Sequence, residues 1–568
     1  MSRSNDGSVT KNAISTGHFL GIDVGTGSAR AAVFDENGRS LGYGSEPIAL
    51  WQESGDYYEQ CTIDIWDAVC KATRSALKAS GGEVRVAGIG ICATCSLVLV
   101  GAAGEPVTVS QGGVPERDVM LWMDHRATRE ASEINATGAE VLRYVGGRVS
   151  VEMQIPKILW LKRNLPSSWS KARHFFDLPD FLTWRATGSL RRSMCSLVCK
   201  WNFRGQERSW DAGFLSHIGL GDLQSDGYAR IGAHVADVGD TVGLLSRDAA
   251  RELGLEPGIP VGASVIDAHA GGIGLLGARR AGSGDTAIDF NHRVALIGGT
   301  SSCHMAISPK AKFIPGVWGP YLSALAPRYW LSEGGQSATG ALIDYVVRSG
   351  AGDIERDELT GRFALLNATL ETAALVENKS VAMLTRDLHV FPDFHGNRSP
   401  RADASLLGMI SGLSLSHKLL DQARLYLATI QSVAYGTRHI IETMNAHGFA
   451  LDAVLACGGG TKNPLFLQQH ADALGLPLLL GAEEEAGLLG CAMLGAVAAG
   501  QRTDVLSAMS AMSRVAREIK PAGGREKEYH NRKYLIFKRM FDDQMAYRSL
   551  MAGSHDPTAL RPDEPRAE

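Results

Sequence analysis

Asp23 closes an apolar run, and Gly25-Thr26-Gly27-Ser28 and Arg30 follow it within the stretch GHFLGIDVGTGSARAAVFDENGRS. A turn of this composition presents backbone N–H groups and the Thr26 and Ser28 hydroxyls to an anion such as phosphate. A carboxylate beside that anion would repel it unless a divalent cation lay between them. The same stretch also reads as a glycine-rich hairpin with a capping Asp, and taken alone it leaves both readings open. Two common phosphate loops are excluded. No segment has the Gly-x-x-x-x-Gly-Lys-Ser/Thr spacing of a Walker loop, and a dinucleotide fingerprint would need a third glycine opening a helix where Arg30 and strand-like AAVF stand. GGIGLLG fits Gly-x-Gly-x-x-Gly at Gly272, Gly274 and Gly277, but no strand immediately precedes it. It reads as a helix whose small residues allow close packing.

A second turn spans Gly298 to Ser302 in VALIGGTSSCHMAI, with Gly299 and Thr300 at its tip. A third element, LDAVLACGGGTKNPLFLQQHADALGLPLLL, ends an apolar strand in Gly458-Gly459-Gly460; Asn463 then caps a helix that starts at Pro464. Three glycines admit a flat base or sugar against bare backbone. Two hairpin turns on opposing lobes and this platform together imply a nucleotide cleft. Asp267 ends the strand-like IPVGASVID before helix-like AHAGGIGLLGA. Ligands bind at the carboxyl ends of such strands, which suits a catalytic Asp, although an Asp there equally suits a helix N-cap.

The elements that must carry these groups follow from the apolar pattern. AAVFDENGRSLGYGSEPI reads as strand, tight turn at Asn37-Gly38, strand, so the opening is a three-stranded meander. Thr62 to Ala79 places Ile65, Val69, Thr73 and Ala76 on one face, which predicts a helix capped by Thr62 or Asp64. EVRVAGIGICATCSLVLV is almost continuously apolar, as a strand covered on both faces must be. Strand and helix patterns alternate to about residue 278, and the series then restarts on the same plan, which predicts an internal duplication.

Length and composition set the frame. The chain has 568 residues, enough for several domains at ~100–200 residues each. With 45% hydrophobic residues, 21% charged residues and a net charge of −4, nothing points to nucleic acid or an acidic membrane surface. The start, MSRSNDGSVTKNAISTG, lacks the apolar core of a signal peptide. The uncharged run Ala486 to Gly500 is shorter than the ~20 residues a bilayer requires and reads as a buried helix. A cytoplasmic location is expected. The nine cysteines fit a reducing compartment. Cys92 and Cys95 form a C-x-x-C and Cys195 and Cys199 lie four apart, but residues three apart on a strand point to opposite faces, which disfavours a zinc site there.

Four blocks, in this order, resemble the FGGY carbohydrate kinase family over about residues 17 to 505: GIDVGTGSARAAVFD and GGTSSCH look like its two phosphate motifs, HVFPDFHGNRSPRADASLLGMISGLSL like its signature block, and ACGGGTKNPLFLQQHADALG like its adenosine motif. The resemblance implies an α/β fold of two duplicated actin-like, ribonuclease H-like domains with a nucleotide and sugar cleft between them. The expected division is a flexible N-terminus over 1–16, a sugar- and phosphate-side domain over 17–278, an adenosine-side domain over 279–505, and an appended helical tail with a disordered end over 506–568. Ala93-Thr94-Cys95-Ser96-Leu97-Val98 stands where xylulose kinases carry Met-His-Gly and is similar to the D-ribulose kinase branch. CKWNF and SEGGQSATGALIDY are similar to pentulose kinase segments that place a Lys and a Glu, here Lys200 and Glu333, near the sugar.

The mechanism implied by the resemblance makes Asp267 the base that takes a proton from a terminal sugar hydroxyl, whose oxygen attacks the γ-phosphorus of ATP. Mg²⁺ near Asp23 and Asp267 offsets phosphate charge, while Thr26, Thr300 and the turn amides hold phosphate oxygens. Arg30 either helps there or is solvated. Trp122 supplies an apolar wall and Asp124 a further acceptor for the sugar. D-ribulose, yielding D-ribulose 5-phosphate, is the expected substrate. L-ribulose, D-xylulose or a pentitol is the alternative within the class, and an actin-like ATPase without a sugar is the alternative outside it. The expected partners are a ketopentose and ATP, not nucleic acid or membrane, with a homodimer left open.

Overall fold

The computed structural model describes residues 17–553 except 54, 82–83, 281–287, 350–357 and 417. The expectations of a flexible 1–16 and a disordered end beyond 553 fall outside the described residues.

The opening meander forms as its pattern requires. His18–Val24 and Ser28–Phe34 pair antiparallel, and a turn with Gly38 at φ 77° leads into Ser40–Pro47. On its other side His18–Val24 runs parallel to Val86–Ala93. The seven-stranded sheet continues through Pro260–Gly262 to Thr241–Leu244, and Val265–Ile266 also pairs with Val86–Ala93.

The second half repeats this plan. Arg293–Gly298 and Ser302–Ser308 form the hairpin, Trp330–Gln336 is the next antiparallel neighbour, and Ala453–Gly458 lies parallel on the other side. Trp318–Leu322 forms one edge, and Leu478–Gly481 and Val515–Ile519 the other. The shared order, not residue identity, carries the duplication.

Three sequence expectations are corrected. The apolar run before residue 100 is two strands, Val86–Ala93 and Leu97–Val100, which belong to different sheets. Thr94 to Ser96 break it because Thr94 N–H reaches back to Val24 O and Ser96 N–H turns onto Thr94 O. The helix Thr62–Ala79 begins after Cys61 with no side-chain cap. Thr62 instead donates its N–H and hydroxyl to the Asp118 carboxylate, and Asp64 accepts from Ala49 N–H, so tertiary contacts occupy both expected caps. The tail is not purely helical: Val515–Ile519 pairs antiparallel with Leu478–Gly481. Its long helix Gly524–Met551 buries Tyr534, Phe537 and Met540 against Phe391 and Tyr435.

The helix Ala486–Ala498 joins the halves. It packs on the strands His18–Val24 and Val86–Ala93 and on the helix Asp267–Leu276, which contains GGIGLLG as expected. A Cβ added at Gly490 would lie 2.0 Å from Ala270 O, and one at Gly274 would lie 2.1 Å from Ala486 O. Two backbones touch there. Gly490→Ala should therefore destabilise the fold by ~1–3 kcal/mol through overpacking, read as a lower thermal midpoint. Gly361→Ala, on an open helix surface with nothing within 4 Å, should leave the midpoint unchanged or raise it.

Candidate functional site

Strand register alone brings the first half's groups to one edge. Asp23 pairs with Cys92 and Val24 with Ala93, while Val265 and Ile266 pair with Cys92 and Ala93. The residues that leave these strand ends, Gly25-Thr26, Thr94 and Asp267, must therefore converge where parallel strands open their carboxyl ends. In the second half Gly298 pairs with both Ser302 and Gly458, so the second turn and the glycine run share an edge. The two edges face a cavity of about 500 Å³, lined among others by Asp23, Thr26, Arg30, Thr94, Trp122, Lys200, Asp267, Gly299, Thr300, Glu333, Gly458 and Gly459.

The first turn is held from several sides. Gly25 N–H donates to Ser28 O at 3.0 Å, Gln60 Nε2 donates to Thr26 O at 2.8 Å, and Trp122 Nε1 donates to Thr26 Oγ1 at 3.0 Å. Trp122 is thus tied to the turn as well as to the cleft wall. Gly25, Gly27 and Ser28 shape the turn, and only Thr26 of this group lines the cavity. Ala93 lies at a strand end behind Thr94, whose hydroxyl bonds Ser96 Oγ at 3.0 Å. The second turn is closed by Gly299 N–H to Ser301 O at 2.8 Å and braced by Thr339 N–H to Thr300 O at 2.9 Å. Gly458, at φ 96°, admits no side chain: a Cβ would lie 1.8 Å from Gly298 O.

Asp267 is the first residue of its helix and not its N-cap, and its carboxylate accepts from Ala268 N–H at 2.7 Å. Burial first, and the nearby Asp23 charge second, push its pKa up to about 6. One Asp23 oxygen accepts from Arg30, while Oδ1 is buried without a partner. Arg30 also reaches Glu485 at 3.3 Å, with its side chain 32% exposed, so it bridges carboxylates from both halves while keeping partial contact with solvent. A Cβ on Gly487 would lie 3.4 Å from Asp23 Oδ2 and 4.0 Å from the Asp267 backbone carbonyl oxygen, which sets the Ala486–Ala498 N-terminus beside the Asp23 carboxylate and the Asp267 main chain. An orphaned carboxylate oxygen next to a second carboxylate is a hard, all-oxygen donor set. Asp23 and Asp267 fit Mg²⁺.

Deeper in the cleft, Lys200 and Glu333 are 3% and 4% exposed. Burial opposes the Lys200 charge, but Glu333 and Glu152 are among the neighbours that outweigh it and raise its pKa. Burial likewise disfavours ionised Glu333, yet Arg398 and Lys200 hold it below the ordinary carboxylate value. Arg398 Nη2 donates to Glu333 Oε1 at 2.7 Å, and Glu333 Oε2 is buried with no partner. Trp318 lies under both cations, 4.1 Å from the Arg398 guanidinium and 4.8 Å from Lys200 Nζ. Such a pocket offers substrate hydroxyls a fixed donor and an unsatisfied acceptor.

Several expected site residues lie elsewhere. Asp124 is fully buried, and its carboxylate is taken up by Arg126 and Tyr58 N–H. It braces the loop before Arg126 and offers the cavity nothing. Asn463 caps the helix Pro464–Leu474 through Leu465 N–H and donates to the Tyr426 hydroxyl, so its polar atoms are already used. Gly460 faces the Phe466 ring and a separate small cavity. Sequence reasoning missed Arg398, Glu152, His269, Cys303 and Glu485, all of which line the cleft. Arg398 lies within the block HVFPDFHGNRSPRADASLLGMISGLSL, where nothing in the motif marks it as buried.

Two duplicated α/β lobes, with facing turns, acids at the strand ends and a charged floor around one cleft, have the actin-like, ribonuclease H-like fold. The FGGY family of carbohydrate kinases matches in both its domains, the N-terminal one over residues 18–274 and the C-terminal one over 294–499. The chain belongs to this family. It is 48% identical over 543 residues to an FGGY carbohydrate kinase domain-containing protein of Homo sapiens, covering 94% of this chain and 98% of that protein. It is 39% identical over 513 residues to a D-ribulokinase of Saccharomyces cerevisiae, covering 84% and 72%. Among solved structures, a xylulose kinase from Rhodospirillum rubrum shares the fold at TM-score 0.75 and 21% identity, covering 93% of this chain and 99% of that one. Among the described residues, no helix is long and apolar enough to cross a membrane.

Arg398→Gln should strip Glu333 of its cation in a buried setting, where losing one partner of a charge pair costs ~2–5 kcal/mol. Sugar kcat/KM should fall roughly 10²-fold or more, with the ATP KM little changed, in steady-state assays at varied sugar.

Proposed function

We propose that this carbohydrate kinase transfers the γ-phosphoryl group of ATP to the terminal 5-hydroxyl of a ketopentose, D-ribulose above all, giving D-ribulose 5-phosphate and ADP. The observation that carries the reading is Asp267: a carboxylate at a strand end, between the two phosphate-type turns, with its pKa raised to about 6. At neutral pH it is ionised, yet basic enough to accept a proton as the hydroxyl oxygen attacks phosphorus. The chain's other contributions are position and charge. The Gly25-Thr26 and Gly299-Thr300 turns would hold phosphate oxygens, and Gly458-Gly459 would lie against the nucleoside. Mg²⁺ held by Asp23 and Asp267 would supply neutralisation of phosphate charge.

Lys200 and Glu333 Oε2 would take sugar hydroxyls, with Trp122 as the apolar wall. The choice of D-ribulose is supported by Thr94-Cys95-Ser96 and by 39% identity to a D-ribulokinase of Saccharomyces cerevisiae. Epimers differ only in where a hydroxyl points, so discrimination comes from leaving a buried polar group unpaired, ~1–3 kcal/mol each.

ADP release measured with D-ribulose, L-ribulose, D-xylulose, pentitols, glycerol and no sugar tests the reading. D-ribulose should lead the other pentuloses by at least roughly ten-fold in kcat/KM, and turnover without sugar should be slight. Thr94→Ala should narrow that lead more than it weakens ATP binding. Another preferred sugar would overturn the substrate, and sugar-independent turnover would favour the ATPase reading.

A further inference from the structure

Beneath the cleft floor, three soft donors gather that the phosphoryl-transfer reading does not use. Cys195 and Cys199 are four residues apart on the helix Met194–Lys200, so both project from one face. That face meets His269, the third residue of the helix Asp267–Leu276. The two thiols and an imidazole nitrogen all lie within 4.8 Å of one another. Cys199 Sγ is 3.3 Å from His269 Nε2, and Cys195 and Cys199 are both free thiols. All three side chains are buried.

Two further atoms separate this cluster from ordinary thiol packing. His269 Nδ1 is buried without a hydrogen-bond partner, and so is the Tyr321 hydroxyl, which lies close enough to the Cys199 thiol to feel its charge. Orphaned buried polar groups are uncommon enough to require an explanation. His269 also lines the main cleft, which gives a ligand its way in.

We propose that Cys195, Cys199 and His269 form a site for one soft d¹⁰ cation, Zn²⁺ being the probe, and that its occupancy switches the kinase cleft off. Two thiolates and an imidazole suit such an ion, and three protein ligands leave a fourth position for water. As the two Zn–S bonds form, each thiol gives its proton to solvent. The dication with two thiolates is then neutral, which a buried site tolerates. Zn–S bonds of ~2.3 Å and Zn–N bonds of ~2.0 Å set tetrahedral donors roughly 3.5–3.8 Å apart, so Cys199 and His269, at 3.3 Å, already lie close to the spacing an ion needs. Cys199 immediately precedes Lys200, and His269 follows Asp267 by two residues, so an ion bound between them ties the segments of the sugar-side lysine and the proposed base to one another.

Metal-free full-length protein should take up one Co²⁺ per chain, gain a thiolate-to-cobalt charge-transfer band, and lose the band when Zn²⁺ is added. The Cys195→Ala, Cys199→Ala double variant should show no band. Zn²⁺ should inhibit sugar-dependent ATP turnover of the native enzyme, a chelator should restore it, and the double variant should be at least ten-fold less sensitive. If the double variant fails to fold by circular dichroism, the single Cys195→Ser variant decides, with Co²⁺ affinity expected to drop at least ten-fold. Substoichiometric uptake, or uptake equally tight in the variants, overturns the site. Stoichiometric uptake with unchanged turnover overturns the switch. The cobalt band needs no sugar or ATP, so it judges the site even if the substrate assignment fails.

Discussion

The helix Ala486–Ala498 meets the first half of the chain through bare backbone, and the position of the reacting groups depends on that contact. Added Cβ atoms at Gly21, Gly88 and Gly90 would lie 2.1, 2.0 and 1.9 Å from carbonyl oxygens of this helix. The approach is therefore closer than side chains permit, on one side to a sheet and on the other to the helix Asp267–Leu276. Its N-terminus, at Gly487, is thereby brought against the Asp23 carboxylate and the Asp267 main chain. That end of a helix favours negative charge, which offsets part of the cost of burying Asp23.

Around this junction, charge is arranged with its partners deliberately incomplete. Arg30 satisfies one oxygen of Asp23 and ties it to Glu485 across the halves, leaving Asp23 Oδ1 unpaired. Arg398 satisfies one oxygen of Glu333 and leaves Oε2 unpaired. In each case an arginine fixes a carboxylate while one oxygen stays available. Buried orphan acceptors are costly in a resting fold, and in the proposed reading a cation at Asp23 and a sugar hydroxyl at Glu333 would supply the missing partners. Asp124 contrasts with them, because both of its oxygens accept hydrogen bonds from Arg126 or from Tyr58 N–H.

The sequence made the strand-borne part of this site legible. Alternating apolar runs and Gly-Thr turns marked both hairpins, and the strand end before AHAGG marked Asp267, because these signals are local. The break at Thr94 to Ser96 is hidden inside an almost continuously apolar run, since hydrogen bonds to Val24 and within the turn redirect the chain there. Arg398 lies on a loop and meets Glu333 and Trp318, and Glu152 lies in a turn that reaches the cleft; these long-range placements are reported by no local pattern. Asp124 and Asn463 misled for the converse reason: their residue types suit ligand contacts, but nearby N–H groups, Arg126 and Tyr426 already occupy them.

The central claim is that Asp267 takes the proton from the attacking hydroxyl, and the pH profile of sugar kcat/KM tests it most directly. A base must be deprotonated to act, so the native enzyme should gain activity as pH rises through about 6, the value to which burial and Asp23 push Asp267. Asp267→Asn should lower kcat/KM by roughly 10²- to 10⁴-fold and abolish that acid limb, with nucleotide binding retained. Near-native turnover in Asp267→Asn, or the same limb persisting in its residual activity, would contradict the account.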